Sequence, residues 1–143
     1  MNSLRCVEII KTKFRENTPE INIPLLRGER KFKASLTADG VMVDNLGSLP
    51  LLPWCVFQEA IGTLIRNGGR AKRGNAVDAK LGDSKLSLDS VEGHIAHVVY
   101  GKKIGDTVFR RITPVACVLI WSGICKAEPG YLVLNKVLES NPC

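Results

Sequence analysis

Side chains with rings are scarce in this chain. Phenylalanine, tryptophan and tyrosine make up 6% of the 143 residues, and histidine occurs twice. Proteins that bind single strands usually stack bases on aromatic side chains, so this composition argues against an aromatic stacking platform. Tyr100 is the candidate ring nearest to a group of cations, whereas Trp54 and Trp121 are expected to pack in the core. A zinc site needs three or four ligands, and the two histidines have no second ligand cluster at a suitable spacing. No metal and no cofactor is therefore predicted.

The chain also lacks a long apolar run. Its most apolar stretch, 115–121, is far shorter than the roughly 20 residues of a membrane span. Charged residues interrupt the N-terminal stretch where a secretory signal would need an apolar core. The five cysteines include no C-x-x-C pair, and this odd number favours free thiols. These features predict a cytoplasmic protein with no membrane partner. The cysteines are Cys6, Cys55, Cys117, Cys125 and Cys143.

Motifs that specify a reaction are missing as well. The sequence contains no nucleophile elbow of the G-x-S-x-G kind. The spacing from Gly69 to Gly74 fits a Walker phosphate loop, but Asn75 and Ala76 stand where lysine and a hydroxyl residue are required. That stretch also follows a predicted helix, whereas a phosphate loop follows a strand. The sequence therefore favours a protein without catalysis.

What the sequence does contain is an excess of positive charge. Its 20 lysines and arginines against 14 acidic residues give a net charge of +6 and a pI near 9.2, which favours polyanionic partners. The length and the apolar share of 45% are those of one globular domain with one core. Residues 1–143 are therefore predicted to form a single domain.

The strongest element is an amphipathic helix over 53–67. At 3.6 residues per turn, its apolar side chains fall on one half of the cylinder and its polar side chains on the other. Pro53 suits the first helical position, where a missing N–H costs nothing. Asn67, Gly68 and Gly69 suit a left-handed stop, because these residues tolerate positive φ.

Alternating patterns predict a small antiparallel sheet. In 31–36 apolar residues alternate with lysine and serine, as in a half-buried strand. Asp39 and Gly40 then turn the chain into 41–43, which predicts a hairpin. Shorter strands are predicted at 21–23, 85–88 and 131–134, and a helix is favoured over 5–14.

The second half is predicted to add helices, although two segments stay open. Asp89 and Glu92 have the spacing of a capping box, which favours a helix over 94–100, with a strand as the alternative. The segment 115–121 is apolar on every side, so it is buried as either a helix or a strand. The chain as a whole predicts an α+β fold, in which a small antiparallel sheet is packed by the 53–67 helix with additional helices in the second half.

The densest positive charge follows the 53–67 helix. Asp78 is the only acidic residue between Arg66 and Lys80, and the glycines there let backbone N–H groups approach a ligand. A second cluster flanks the turn at 101–105 and consists of Lys102, Lys103, Arg110 and Arg111. Both clusters on one face would form the basic stripe typical of nucleic-acid binding, whereas a solvated loop is the alternative interpretation. The predicted phosphate-binding residues are Arg66, Arg70, Lys72, Arg73, Lys102 and Lys103.

Two other functions stay open. An enzyme of the hydrolase kind, or a protein that binds a small ligand, would use a pocket around Glu92, His94 and His97, since histidine titrates near neutral pH. An assembly module would pair through an edge strand of the 31–43 hairpin or through the apolar 115–121 segment, and homodimers are the commonest oligomers. The leading prediction is a small basic, homo-oligomeric protein that binds nucleic acid or another polyanion.

Overall fold

The structure is a computed structural model that describes residues 2–17 and 20–135. Within these residues the helices are α1 (Ser3–Arg15), α2 (Trp54–Arg66), α3 (Val91–Val98) and α4 (Ile112–Trp121). The strands are β1 (Glu20–Pro24), β2 (Lys31–Leu36), β3 (Gly40–Val43), β4 (Leu51–Pro53), β5 (Arg70–Lys72), β6 (Cys125–Glu128) and β7 (Tyr131–Leu134). The strands form two antiparallel sheets beside the helices, which confirms the predicted α+β fold.

Helix α2 lies at the centre of the fold. It contacts α1, α3 and α4 as well as strands of both sheets. Its predicted apolar face is buried, including Phe57, Ile61 and Leu64. Pro53 is the N-cap rather than the first helical residue, because its extended backbone (ψ 155°) belongs to β4. The helix ends at Asn67, and Gly68 and Gly69 both adopt positive φ as predicted.

The first sheet has the strand order β1-β2-β3-β4, and all its pairs are antiparallel. The predicted hairpin forms at β2 and β3, where the Thr37 hydroxyl donates to the Gly40 carbonyl over 2.9 Å. Both hairpin strands lie inside the sheet, whose edges are β1 and β4. The expectation that this hairpin offers an edge strand to a second copy is therefore wrong, because its neighbours satisfy both sides.

The second sheet has the order β5-β7-β6 and corrects the predicted basic loop. The residues Arg70–Lys72, which were predicted to lie in that loop, form β5 and pair with β7. Arg70 and Lys72 therefore project from a strand. Pairing continues one residue further, where the Arg73 N–H donates to the Gly130 carbonyl over 2.9 Å. Only Ala71 is buried in β5, so no alternation of large apolar residues marks this strand in the sequence.

The two segments for which the sequence left helix and strand as alternatives, 94–100 and 115–121, lie largely in helices α3 and α4. Helix α3 is capped by Ser90, whose hydroxyl accepts from the Gly93 N–H, rather than by the predicted Asp89. Asp89 instead accepts a 2.6 Å hydrogen bond from the Ser87 hydroxyl. The predicted strand at 85–88 is wrong, because Ser84–Leu86 form a single 3-10 turn that buries Leu86.

Helix α4 belongs to the core of the single chain. Residues 114–119 are buried, and α4 packs against β1, β6 and α2. The side chains of 115–119 are buried against their own chain, so they do not form the predicted dimer interface. Only Ile120 and Trp121 of the 115–121 segment are partly exposed. Across the part of the chain that the structure describes, no helix is both long enough and apolar enough to cross a membrane.

A second, smaller hydrophobic core stabilises the long segment between β5 and α4, and we call it the satellite core. Ala79, Leu81 and Leu86 are buried together, apart from the main core. A bridge between Lys80 and Thr107 ties the two halves of this segment. The satellite core thereby fixes Ser84, Lys85, Ser87 and Arg110 relative to the sheets, and these residues line the site described below.

Gly93 is a point where the fold admits no side chain. A Cβ there would overlap the backbone carbonyl of Ser87, and Ser87 cannot retreat easily because it also accepts from the Ser90 hydroxyl. We expect Gly93→Ala to lower the free energy of unfolding by about 1–3 kcal/mol, the usual cost of overpacking. The matched control is Gly62→Ala in α2, where the new methyl meets only the Arg66 side chain at 3.3 Å. This control should be neutral or stabilising by up to ~1 kcal/mol. Denaturant unfolding of both variants measures the change in free energy of unfolding. Equal changes for Gly93→Ala and Gly62→Ala would show that the fold does admit a side chain at position 93.

The described cysteines are free thiols of two kinds. Cys55 is exposed, whereas Cys6, Cys117 and Cys125 are buried. Burial raises the pKa of the Cys6 thiol to about 12 and that of Cys117 to about 11, and it shifts the pKa of Cys125 in the same direction. The fifth, Cys143, lies outside the described residues.

We expect alkylation of the native protein at neutral pH to modify Cys55 long before the three buried thiols, because the thiolate is the reactive form and burial suppresses it. Peptide mass mapping after timed iodoacetamide treatment measures each cysteine separately. Denaturant should make the rates at Cys6, Cys117 and Cys125 approach that of Cys55. Rapid native modification of any buried thiol would show that the core opens there.

Candidate functional site

A basic cleft lies where the two sheets and the two C-terminal helices meet. Its walls come from the β1–β2 turn, the end of β5, the 3-10 turn, the starts of α3 and α4, and the β6–β7 turn. The cleft has a volume of about 910 Å³, within the usual range of ligand sites. Leu25, Leu26 and Ile112 supply apolar surface, but no aromatic side chain lines the cleft.

Among the described residues, six cations and no acidic side chain line this cleft. Five of the six side chains are exposed and Arg73 is half-buried. Ion pairs in the described ranges occur elsewhere, as between Arg70 and Glu128, and none involves a cleft cation. Like charges held together without counter-charges favour an anionic ligand, because the ligand relieves their repulsion. The six are Arg27, Arg30, Lys72, Arg73, Lys85 and Arg110.

Arg73 is the most firmly held of these cations. One guanidinium nitrogen donates to the backbone carbonyls of Glu128 (3.0 Å) and Tyr131 (2.8 Å). Desolvation is the largest cause that lowers the pKa of Arg73, and the nearby charge of Arg27 lowers it further. Arg73 thus joins the β6–β7 turn to the cleft and keeps its charge close to that of Arg27.

Gly74 lets the backbone form part of the cleft wall. Its φ of +83° is in the left-handed region, where a side chain is strained. A Cβ there would lie 2.6 Å from the hydroxyl oxygen of Ser90. The next residue, Asn75, donates its N–H to the Lys85 carbonyl over 2.7 Å, which brings Lys85 to the same wall.

Glu92 braces the cleft from behind. Its Oε2 accepts from the backbone N–H groups of Arg111 (2.9 Å) and Ile112 (2.7 Å), and its own N–H donates to the Arg73 carbonyl. The carboxylate therefore occupies the N-terminus of α4, where an anion is favoured by the helix dipole. Glu92 is fully buried, and its Oε1 has no hydrogen-bond partner among the described residues.

Burial raises the pKa of the Glu92 carboxyl from its ordinary 4.5 to about 7. The two N–H donors and the positive charges of Arg111 and Arg110 oppose this shift but do not cancel it. Arg111 is held nearby because its guanidinium stacks 3.6 Å from the centroid of the Tyr100 ring. The group behind the cleft consequently changes charge near neutral pH.

Two of the six cations predicted from the sequence lie in the lining of the cleft, and the other four lie outside it. Lys72 and Arg73 line the cleft. Arg70 lies just outside it, bonded to Glu128 and stacked on Tyr131. Arg66 contacts Thr63 and His94, while Lys102 and Lys103 lie in the turn after α3 and do not line the cleft.

The alternative pocket residues also have separate partners. Glu92 holds the start of α4, as described above. His94 Nε2 lies 2.8 Å from the Glu59 carboxylate, and Arg66 lies 3.1–3.2 Å from both ring nitrogens. His97 Nδ1 faces the Lys102 carbonyl at 2.8 Å. Within the described ranges, no three histidine, cysteine or acidic side chains are grouped to hold a metal ion.

Sequence reasoning missed Arg27, Arg30 and Lys85 as site residues, and it assigned Arg110 to a different cluster. The first two stand on either side of Gly28 in a tight turn, a weak signal for an exposed basic loop. Lys85 stands alone in the sequence. Only the folded chain brings these positions beside Lys72 and Arg73.

Comparison with protein-family models, curated proteins and solved structures finds no match to this chain. The functional inference therefore depends on the geometry and charge of the cleft.

The raised pKa of Glu92 makes folding stability depend on pH. Between about pH 4.5 and about pH 7 the folded protein keeps a proton that the unfolded chain releases, so the contribution of Glu92 falls as pH rises through this window. The difference between the two pKa values corresponds to a loss of about 3 kcal/mol. Glu92→Gln keeps an oxygen acceptor for both N–H groups but removes the titration, so the variant should lack this loss.

The measurement is denaturant unfolding of wild type and Glu92→Gln between about pH 5 and about pH 8. The stability of the variant relative to wild type should rise across this range. Glu16→Gln, at an exposed position, reports the effect of removing one surface carboxyl. Parallel profiles for wild type and Glu92→Gln would show that Glu92 does not titrate in this range.

Proposed function

We propose that the protein binds nucleic acid or a related polyanion through the basic cleft. The single observation that supports this most strongly is the group of six cleft cations, with no acidic residue in the lining that the structure describes. Cations that neutralise phosphates release condensed counterions, and this release drives binding to nucleic acids. The net charge of +6 acts in the same direction by attracting a polyanion over long range.

The contacts in the cleft itself fit phosphate rather than bases. Arginine forks and lysine ammonium groups match phosphate oxygens, and Gly74 lets the backbone come close to a ligand. No ring lines the cleft on which a base could stack. Phosphate contacts position a nucleic acid without reading its sequence, so we propose little sequence preference within the cleft.

The cleft is complete within one chain. The sequence predicted a homo-oligomer, but the 31–43 hairpin is interior to its sheet and most of the 115–121 segment is buried. The proposal therefore does not require a second copy, and light scattering of the purified protein would establish the oligomeric state. A cytoplasmic location stays a prediction from the sequence that imaging of a tagged full-length chain would check.

An enzyme remains the second proposal from the sequence, and one of its predicted residues, His94, has a contact that suits catalysis. The 2.8 Å contact between His94 and Glu59 is a geometry that can orient an imidazole for proton transfer. The same imidazole also faces Arg66, and Glu92 and His97 have partners of their own. The cleft therefore carries the stronger proposal.

Removing cleft cations should weaken binding and flatten its salt dependence. The triple variant Arg30→Ala, Lys85→Ala and Arg110→Ala removes three exposed cations that form no ion pair within the described ranges. We expect an affinity loss of about tenfold or more at low salt. The slope of log K against log salt should become shallower by about 2 for single strands and about 3 for duplexes. Fluorescence anisotropy with labelled oligonucleotides across a salt series is the measurement.

A matched triple variant separates site binding from the effect of net charge. Arg5→Ala, Arg15→Ala and Lys126→Ala removes the same charge from exposed positions on α1 and β6 that do not line the cleft. This control should retain most of the affinity and the salt slope. Equal losses in both triples would assign binding to general charge. No binding by wild type at low salt would overturn the proposed function.

A further inference from the structure

A flat cationic surface lies beside the cleft. The Arg70 guanidinium stacks on the Tyr131 ring, 3.5 Å from the centroid, while its Nε donates to the Glu128 carboxylate over 3.0 Å. The side chain of Arg70 nevertheless keeps 51% of its surface exposed. The guanidinium is thus held by two partners, and about half of the side chain is still accessible to a ligand.

A recess of about 190 Å³ borders this surface. It is smaller than the roughly 300 Å³ at which sites for whole small ligands begin, so it suits a single ring system. It shares Lys72 with the cleft, and the two cavities therefore meet at one residue. The residues around the recess are Asn67, Arg70, Ala71, Lys72, Asp89 and Tyr131.

The charges of the recess and the cleft differ. Glu128 balances the charge of Arg70, and Asp89 places a carboxylate in the lining of the recess. A phosphate is therefore disfavoured beside Arg70 and favoured in the cleft, whose lining within residues 2–17 and 20–135 has no acidic residue. A neutral aromatic ring suits the recess, because guanidinium planes and aromatic rings are both surfaces on which bases stack.

We propose that the recess takes one unpaired nucleobase, stacked on the Arg70 guanidinium, while the neighbouring phosphates of the same strand lie in the cleft. This inference rests on the proposed function and assigns the ligand class as single-stranded nucleic acid. Duplexes bind through the cleft cations alone, since a paired base does not leave its stack without a cost of a few kcal/mol.

Strand β5 supplies the connection between the two subsites. Arg70 and Lys72 lie on the same face of β5, with the buried Ala71 between them, so their backbones are about 7 Å apart. A chain with a base on Arg70 therefore reaches Lys72 with an adjacent phosphate and continues towards Arg73. The Arg70–Tyr131 pair thereby supplies the stacking surface that the scarcity of aromatic residues in the sequence argued against.

The test compares Arg70→Lys with Arg15→Lys. Arg70→Lys keeps the positive charge but loses the planar surface, whereas Arg15→Lys makes the same exchange at an exposed position on α1 that lines neither cavity. We expect Arg70→Lys to weaken binding of a single-stranded oligonucleotide about tenfold, with an unchanged salt slope and little change for duplex. Arg15→Lys should bind single strands nearly as wild type does. Thermal unfolding of both variants checks that each is folded at the assay temperature.

A fluorescent base makes the stacking itself visible. Single strands that carry one 2-aminopurine in an otherwise uniform sequence should change in fluorescence on binding to wild type and change less on binding to Arg70→Lys, because the base exchanges its neighbours in the strand for the recess. Both DNA and RNA versions are used, because the stacking argument applies to either. The duplex with the same label should show no change in fluorescence when wild type binds.

The outcomes separate the two proposals. Equal affinity of wild type for single strand and duplex, with no effect of Arg70→Lys and no change in 2-aminopurine fluorescence, would overturn the base subsite and leave the polyanion cleft standing. A loss of binding in Arg70→Lys that is equally large for duplex would assign Arg70 to backbone contact and overturn the base subsite as well. Absence of all binding by folded wild type would overturn both.

Discussion

The buried carboxylate of Glu92 is the contact on which the geometry of the cleft depends. Its Oε2 accepts hydrogen bonds from the N–H groups of Arg111 and Ile112 at the start of α4. The backbone N–H of Glu92 donates to the carbonyl of Arg73, just after β5. A helix N-terminus attracts an anion, and here the protein supplies that anion from its own chain. The backbone N–H groups of Arg111 and Ile112 bind only Oε2, and no ion pair joins Glu92 to a cleft cation among the described residues. The cleft keeps its positive charge although an acidic residue lies directly behind it.

The distribution of ion pairs gives neighbouring surfaces different chemical characters. Arg70 is balanced by Glu128, whereas the cleft cations have no carboxylate partner within residues 2–17 and 20–135. A charged ligand group and a neutral ring are thus favoured at adjacent positions, which is the alternation that a nucleic-acid strand presents. Lys72 borders both surfaces and belongs to neither alone.

Other residues that carry charge connect helices to each other. His94 on α3 lies between Glu59 and Arg66 of α2, and these contacts join two elements that also pack through apolar side chains. Arg111 stacks on the rings of Tyr100 and Phe109, which fixes the chain just before α4. Glu92, His94 and His97, whose residue types suggest chemistry in the sequence, therefore have structural contacts here.

The sequence by itself determined the elements whose signals are local: the α2 helix with its buried face, the hairpin of β2 and β3, and the α+β class. Helical periodicity and an Asp-Gly turn are read over a few neighbouring residues, so no distant contact is needed to recognise them. The tertiary structure alone decided that Arg70–Lys72 form a strand, because this strand exists only by pairing with β7, which lies about 60 residues further along the chain. It also decided which cations share a site. Arg27, Lys85 and Arg110 are far apart in sequence, and no local pattern records that packing around the Glu92 carboxylate and the satellite core brings them together.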